Sequence, residues 1–558
     1  MNRILQRFSR LKLKRLFGRA SLPTSRTTFS FSFGDRSQQV FPAHQESLPE
    51  YGRFKKNAAD LLHTDKVMPD FQPAILVPKL ELGFQERSFT PRRIFVSHTC
   101  ANRLPLILLL TALLSWGGSI SSKIFSEENG NEVDPPNVIL IMADDICFDN
   151  YGCYGSDHFQ TPRLDELAQT GVKFNQCYSQ PVCTASRVQI MTGRINARNY
   201  VAFGVLDPSE QTFGTMMREA GYATAIAGKW QLQGYPTIPG VLPADCGFDT
   251  WCMWNYPGGG RSRFWNPSLI RNGELVPVNE NSYGPDICTD FLIDFIREER
   301  DGPFFVYYPM ILVHDPFLPT PDSVDRNERD ARKNYRDMVA YMDKCVGRIV
   351  DTLEDEKLRE NTIVIYTSDN GTGRGMLYPY KDEIREGEKA YPTDGGCHAP
   401  LIVNCPGVVS ESEENSDLID FADVMPTLAE IGGAQLPDVP LDGRSFWPQC
   451  RGLMGDPRTE LFHYYYPKFG PAAERFGGGT PQILWVHDQR YKLYEDGAFY
   501  DMVEDRLELD PIAPGEGTPE EELSRIRFQA TLDASPQDGA MLSDDMRRKV
   551  DQARAVQD

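Results

Sequence analysis

Asn137-Val138-Ile139-Leu140-Ile141-Met142-Ala143-Asp144-Asp145 carries the pattern from which the fold is read. The apolar run Val138 to Met142 suits a short strand buried on both faces, as in a parallel sheet covered by helices. It ends in two adjacent carboxylates. Ligands of open α/β sheets bind beyond the carboxyl ends of the strands, so Asp144 and Asp145 stand where chemistry is expected. Three further runs follow the same plan. Ala223–Ala227 leads into Gly228-Lys229-Trp230-Gln231, Phe304–Tyr308 passes through Pro309 to His314-Asp315-Pro316, and Thr362–Tyr366 leads into Ser368-Asp369-Asn370-Gly371. Helical patterns alternate with them. Thr161–Ala168 has an N-cap threonine, Pro162 in its first turn and Gly171 past its end. Met338, Met342, Val346, Ile349, Val350 and Leu353 recur at helical spacing, a stripe assigned to core. Leu401–Val403 and a helix over Phe421–Ile431 continue the alternation. The fold class expected is α/β, a large mixed, mostly parallel sheet flanked by helices over residues 131–455. Short β-rich runs (Phe462–Tyr466, Ile483–Val486, Tyr491–Tyr494, Ala498–Tyr500) and a charged helical tail predict a smaller α+β subdomain over 456–558.

The chain has 558 residues and a formal net charge of −21. Its charge is uneven: residues 1–104 hold about 18 Lys+Arg against about 8 Asp+Glu, leaving about 40 against about 71 in the remainder. An acidic body argues against nucleic acid as a partner and means that an anionic substrate must be drawn by a local basic site. Residues 1–103 are a polar, Arg- and Ser-rich leader, expected to be disordered. Leu104–Trp116 (LPLILLLTALLSW) is too short for a comfortable membrane span and suits a signal-peptide h-region, with Gly117, Gly118 and Ser119 as a cleavage zone within 104–130. The expectation is export to the periplasm, the cell surface or the medium, with translation starting nearer Val96. The alternative is an uncleaved signal anchor, the one membrane association expected. Export would permit disulfides among the twelve cysteines.

Cys183-Thr184-Ala185-Ser186-Arg187, followed by Ile190-Met191-Thr192-Gly193-Arg194, carries the most specific signal. A cysteine and an arginine four apart at the opening of a helix place a nucleophile and a cation on one face, and the helix N-terminus favours an anion. Asp144, Asp145, Asp369 and Asn370 offer hard oxygen ligands of the kind calcium or magnesium takes. Zinc does not fit, because no His or Cys pair stands at ligand spacing. Lys229 follows a glycine at a strand end, Lys389 lies in a loop closing on Gly395-Gly396, and His314 is suited to protonating a departing alkoxide.

These motifs together resemble the type I, formylglycine-dependent sulfatases of the alkaline-phosphatase-like superfamily, across Pro136 to Val403. Leu441–Ser445 and Tyr491–Tyr494 match more loosely. The resemblance implies that Cys183 is oxidised to formylglycine by a formylglycine-generating enzyme. One Ca²⁺ would be held by Asp144, Asp145, Asp369 and Asn370 together with the modified Cys183. It also implies that Arg187 holds the aldehyde hydrate, that Lys229 and Lys389 clamp the sulfate, and that His314 protonates the leaving oxygen. One position departs: where the family often reads Gly-Lys-x-His, this chain has Gln231, which hydrogen-bonds but does not titrate. The loop Met253–Asn266, with Trp254, Tyr256, Arg261, Arg263 and Trp265, suits a sugar ring carrying sulfates, as do Lys468 and Arg475. The function expected is hydrolysis of a sulfate ester of an alcohol or carbohydrate. The alternatives are a phosphate or phosphonate ester hydrolase of the same fold, and a decayed protein that binds sulfated glycans.

Overall fold

The computed structural model describes residues 135–466, 482–536 and 542–557. The leader, the apolar run at 104–116, and the stretch holding Lys468 and Arg475 lie outside the described residues. Among the described residues no helix is long and apolar enough to cross a membrane.

Seven strands form the body of one mixed sheet: β1 (Asn137–Ala143), β2 (Val172–Tyr178), β3 (Ala223–Lys229), β4 (Thr250–Trp254), β5 (Phe304–Pro309), β6 (Thr362–Ser368) and β7 (His398–Asn404). Their order is β2-β7-β6-β1-β5-β3-β4, extended at both edges by short strands. β1 lies between β5 and β6, parallel to both, with Ile139 opposite Val306 and Val364. Every β1 residue is buried, and alternate residues enter different cores. Val138, Leu140 and Met142 join one core; Ile139, Ile141 and Ala143 join the other. That two-sided burial is why the run shows no polar alternation.

β7 runs antiparallel to both its neighbours, β2 and β6. A simple strand–helix alternation through Leu401–Val403 does not anticipate this. The reversal brings the amino end of β7 to the same edge of the sheet as the carboxyl ends of β1, β3, β5 and β6, and with it the loop that carries Lys389.

α1 (Pro162–Gln169) begins as expected, but Thr161 does not cap it. Its hydroxyl accepts from the Gly152 amide at 2.9 Å and donates to Asp165 at 3.0 Å. The carboxylate of Asp343 takes the first amides of α1 instead, at 2.9 and 3.1 Å. α2 (Cys183–Thr192) is buried on every side. α3 (Gly284–Glu298) packs beside α4 (Ala331–Asp355), whose stripe from Met338 to Leu353 enters the core as read from its spacing. The helix read over Phe421–Ile431 divides into a 3₁₀ turn, Phe421–Asp423, and α5 (Val424–Gly432).

The C-terminal runs form a four-stranded antiparallel sheet, Leu461–Tyr465, Ile483–His487, Tyr491–Tyr494 and Phe499–Asp501, covered by the helix Pro519–Asp533. Leu461, Tyr465 and Trp485 join a core of the large sheet. The eleven cysteines among the described residues are all free, and ten are buried. They pack as small hydrophobes and staple nothing.

The contact between the two sheets contains a buried imidazole pair. His487 Nδ1–H donates to the Asp488 carbonyl at 2.9 Å, so its Nε2 accepts from His463 Nε2–H at 3.0 Å. His463 Nδ1 then accepts from Gln180 Nε2 at 3.3 Å. The chain of donors closes only while both rings are neutral. Burial, with the Lys492 charge, holds His487 down at about 4, and burial holds His463 well below the ordinary range. Unfolding therefore takes up protons below the ordinary histidine value of about 6.5. Stability falls as pH drops from there toward 4, by up to about 1.4 kcal/mol per pH unit for each ring. Thermal melts between pH 7 and 5 should show this slope, and His487→Gln should flatten it.

Candidate active site

The ends of four parallel strands and one reversed strand meet at one edge of the large sheet. The Asp369 amide donates to the Ala143 carbonyl at 2.9 Å, and the Asp145 amide donates to Asp369 Oδ1 at 3.0 Å. Asp145 sits in the left-handed region, φ +63°, which turns its carboxylate away from the strand line. Asn370 Nδ2 donates to Asp145 Oδ1 at 2.9 Å. One ligand atom from each of Asp144, Asp145, Cys183 and Asp369 fits within 4.8 Å of the others. All four residues are buried.

Cations surround this cluster. Lys229 Nζ lies 2.7 Å from Asp144 Oδ1. Lys389 Nζ lies 2.5 and 2.6 Å from the two oxygens of Asp145. Arg187, one turn into α2 from Cys183, donates to Asp369 Oδ2 at 2.8 Å and to the Lys229 carbonyl at 3.3 Å. The loop of Lys389 is tied down on two sides. The Lys389 amide donates to the Thr372 carbonyl at 3.0 Å, and the Ala390 amide donates to the Pro181 carbonyl at 2.8 Å, just before α2.

His314 hangs from a segment laced to the end of β1. Asp144 bonds both sides of the Leu312–Val313 peptide: the Asp144 amide donates to the Leu312 carbonyl and the Val313 amide donates to the Asp144 carbonyl, both at 2.8 Å. His314 Nδ1 lies 2.8 Å from the Asp315 carbonyl oxygen and 2.6 Å from its carboxylate Oδ1. Nδ1 therefore carries a proton, and Nε2 faces Asp145 Oδ2 at 3.4 Å. Burial lowers the His314 pKa against the pull of Asp145. The orienting role of Asp315 is absent from the sequence reading, although the dipeptide itself is conspicuous there.

Burial raises all three carboxylates, and the cations decide the outcome. Lys229, His314 and Arg187 hold Asp144 well below the usual range. His314 and Lys389 lower Asp145. Asp369, burdened also by the charge of Asp144, is pushed up to about 7 against Arg187 and Lys229. Burial raises the Cys183 thiol too, in spite of Lys229 and Lys389. As a plain thiol, residue 183 is protonated and inert at neutral pH.

The site also fits a divalent cation. Asp144 Oδ2 and Asn370 Oδ1 are buried and make no hydrogen bond. Unpaired buried oxygens of this kind are costly unless something binds them. The donors are hard oxygens, as calcium takes.

Of the remaining residues singled out in the sequence, Arg263 reaches the cluster and Arg261 does not. Arg261 is exposed on its loop; its carbonyl, not its side chain, accepts from Trp254 Nε1 at 3.3 Å. Trp254 belongs to the end of β4 and is buried. Gln231 is partly buried, with Oε1 enclosed and without a hydrogen bond.

Residues 136–434 match the sulfatase family model. Arylsulfatase A of Homo sapiens is 32% identical over 371 residues, covering 60% of this chain and 71% of that one. A protein solved in complex with its substrate, D-glucosamine-2-N,6-O-disulfate, shares the fold at TM-score 0.59 and 21% identity, over 72% of this chain and 97% of that one. The phosphonate monoester hydrolase of Agrobacterium radiobacter shares it at TM-score 0.56 and 20% identity, over 72% and 95%. The chain belongs to the sulfatase family and is a sulfuric ester hydrolase.

Gly228 carries a local constraint that the sequence reading passes over. Its φ is +127°, and a Cβ there would stand 1.9 Å from the Pro309 carbonyl oxygen. Only glycine lets β3 close on the end of β5 and deliver Lys229 to Asp144. Gly228→Ala should cost about 1–3 kcal/mol in denaturant melts and reduce activity by more than that loss of folded protein accounts for.

Proposed function

We propose that this chain hydrolyses a sulfate ester of an alcohol or carbohydrate outside the cytoplasm, after Cys183 is converted to formylglycine. The observation that carries the reading is the residue-183 side chain, buried at the head of α2 among Asp144, Asp145 and Asp369, with four cations fixed around it. Asp144, Asp145, Asp369 and Asn370 would hold one Ca²⁺, which when bound would polarise a sulfate oxygen and neutralise charge building on the sulfonyl group. An aldehyde at residue 183, once hydrated, would offer one hydroxyl to sulfur as the ester S–O bond breaks and the alcohol leaves, and a second hydroxyl through which sulfate could be released and the aldehyde restored.

The side chains of the site fit these steps. Arg187 reaches from one helical turn beyond residue 183 and orients the hydrate. Lys229 and Lys389, drawn in by Asp144 and Asp145, present their ammonium groups to the sulfate oxygens. His314, with its Nδ1–H held by Asp315, presents Nε2, which when protonated would donate that proton to the leaving oxygen as the ester S–O bond breaks. Three carboxylates face the four cations Arg187, Lys229, Arg263 and Lys389, so a divalent ion leaves the site cationic inside an acidic protein. That local charge is what an anionic ester needs. A sulfated small molecule or glycan is the substrate class, the described residues within 456–558 belong to an α+β subdomain, and a formylglycine-generating enzyme is the maturation partner.

The phosphonate hydrolase among the structural relatives keeps a second reading in play, since the cation set binds any tetrahedral oxyanion. Sulfate and phosphate esters of 4-nitrophenol decide between them: a larger kcat/KM on the sulfate is expected.

Mass spectrometry of the tryptic peptide Phe174–Arg187, from reduced and alkylated protein, should find an aldehyde at residue 183 with Cys177 alkylated as the internal control. Full alkylation of both would leave the protein without its nucleophile. Gln231→His is expected to change kcat by less than about tenfold and to add an ionisation near the ordinary histidine range. A gain of about 10²–10⁴, the usual yield of a restored general acid or base, would mark a decayed site.

A further inference from the structure

Arg263 is the cation whose place in the site is unexplained. Its guanidinium stacks on the Trp254 ring, 3.9 Å from the centroid, and its NH1 lies 3.8 Å from Asp144 Oδ2. NH1 is buried and makes no hydrogen bond, and Asp144 Oδ2 is in the same condition. Lys229, Lys389 and Arg187 each donate to a carboxylate of the cluster. Arg187 also leaves its Nε buried without an acceptor, but Arg263 alone among these four makes no hydrogen bond to a carboxylate of the cluster.

The placement is rigid. The Phe264 carbonyl accepts from the Gly284 amide at 2.8 Å at the start of α3. A Cβ at Gly284 would stand 2.0 Å from the Arg263 carbonyl oxygen, so the two backbones are in close contact. Trp265 Nε1 donates to the Pro319 carbonyl at 2.8 Å. The stacking partner is held as well, because the Trp230 amide donates to the Trp254 carbonyl at 2.8 Å. β3 and β4 therefore leave the sheet side by side, and the guanidinium on Trp254 stands beside the exit that carries Lys229 and Gln231. A divalent ion on Asp144 would take the one carboxylate oxygen near NH1, leaving Arg263 to an incoming anion.

We propose that Arg263 donates to an oxygen of the scissile sulfate, as a specificity-determining residue that supplies a permanent charge where Gln231 offers none. The inference rests on the sulfate-ester reading above. It sets Arg263 apart from Arg261, which stands two residues away and faces solvent. Arginine suits the task because its planar fork stays charged when buried and stacks on an aromatic face while donating in its own plane.

The test uses calcium-loaded wild type, Arg263→Met and Arg263→Lys, with two probes that carry no anion beyond the reacting group: inorganic sulfate in calorimetry and 4-nitrophenyl sulfate in turnover. Arg263→Met should weaken sulfate binding by about tenfold to a hundredfold, the usual worth of a charge-assisted hydrogen bond, and lower kcat/KM at least as much. Arg263→Lys should recover part of both. Calcium affinity should be unchanged or tighter, since a like charge beside the ion is gone. Sulfate affinity and kcat/KM within twofold of wild type in Arg263→Met would overturn the inference. So would weaker calcium binding, which would make Arg263 a support for Asp144. Arg263-dependent sulfate binding in a wild type that releases no nitrophenol would support the inference while removing the hydrolase reading.

Discussion

Three carboxylates buried within a few ångströms of one another cannot remain charged without partners, and the architecture around the site is organised to supply them. Asp144, Asp145 and Asp369 lie at the ends of two neighbouring strands of the sheet, where backbone bonds fix their positions before any ligand arrives. Each then draws a cation from a different part of the chain: Lys229 from β3, Lys389 from the loop before β7, Arg187 from α2. Desolvation makes each attraction strong and each unpaired group costly. Electrostatics thus joins segments more than two hundred residues apart in sequence.

The sheet provides the geometry this requires. Parallel strands deliver their carboxyl ends to one edge, and the reversed β7 adds an amino end there. The lysine loop then enters from the opposite chain direction, bonding to Thr372 on one flank and Pro181 on the other. A parallel strand in that position would put its preceding loop at the far edge. The reversal is therefore functional as well as topological.

Much of this was legible in the sequence. Unbroken apolar runs mark strands buried on both faces, and a polar cluster directly after such a run lies by necessity at a strand end. That is why Asp144, Lys229, His314 and Asp369 stand out with no structure in hand. The direction of β7 was not legible, because an apolar run reads alike in both directions. Nor was the difference between Arg261 and Arg263, since neither strand nor helix periodicity holds in a loop; only the stack on Trp254 and the contact with Gly284 draw one inward. Thr161 shows a subtler failure. Its position is that of a cap, yet its hydroxyl serves Gly152 while Asp343, far along the chain, takes the helix amides. Lys389 is marked only by the glycine pair that closes its loop before an apolar run, and its role as a sulfate clamp comes from the family resemblance, because the loop carries no strand-end signal of its own.

The complete burial of α2 sets an order of events in time. Residue 183 is 1% exposed, every residue of the helix behind it is buried, and that helix packs against the turn Phe421–Asp423, α5 and the helices Asn196–Asn199 and Phe213–Glu219. Another protein large enough to oxidise that side chain cannot reach it once these layers have closed. On the proposed chemistry, conversion must precede folding, while the segment is still extended and newly made. Each molecule then has a single window for it, and the active fraction of a preparation records a race between an oxidising partner and the collapse of the core.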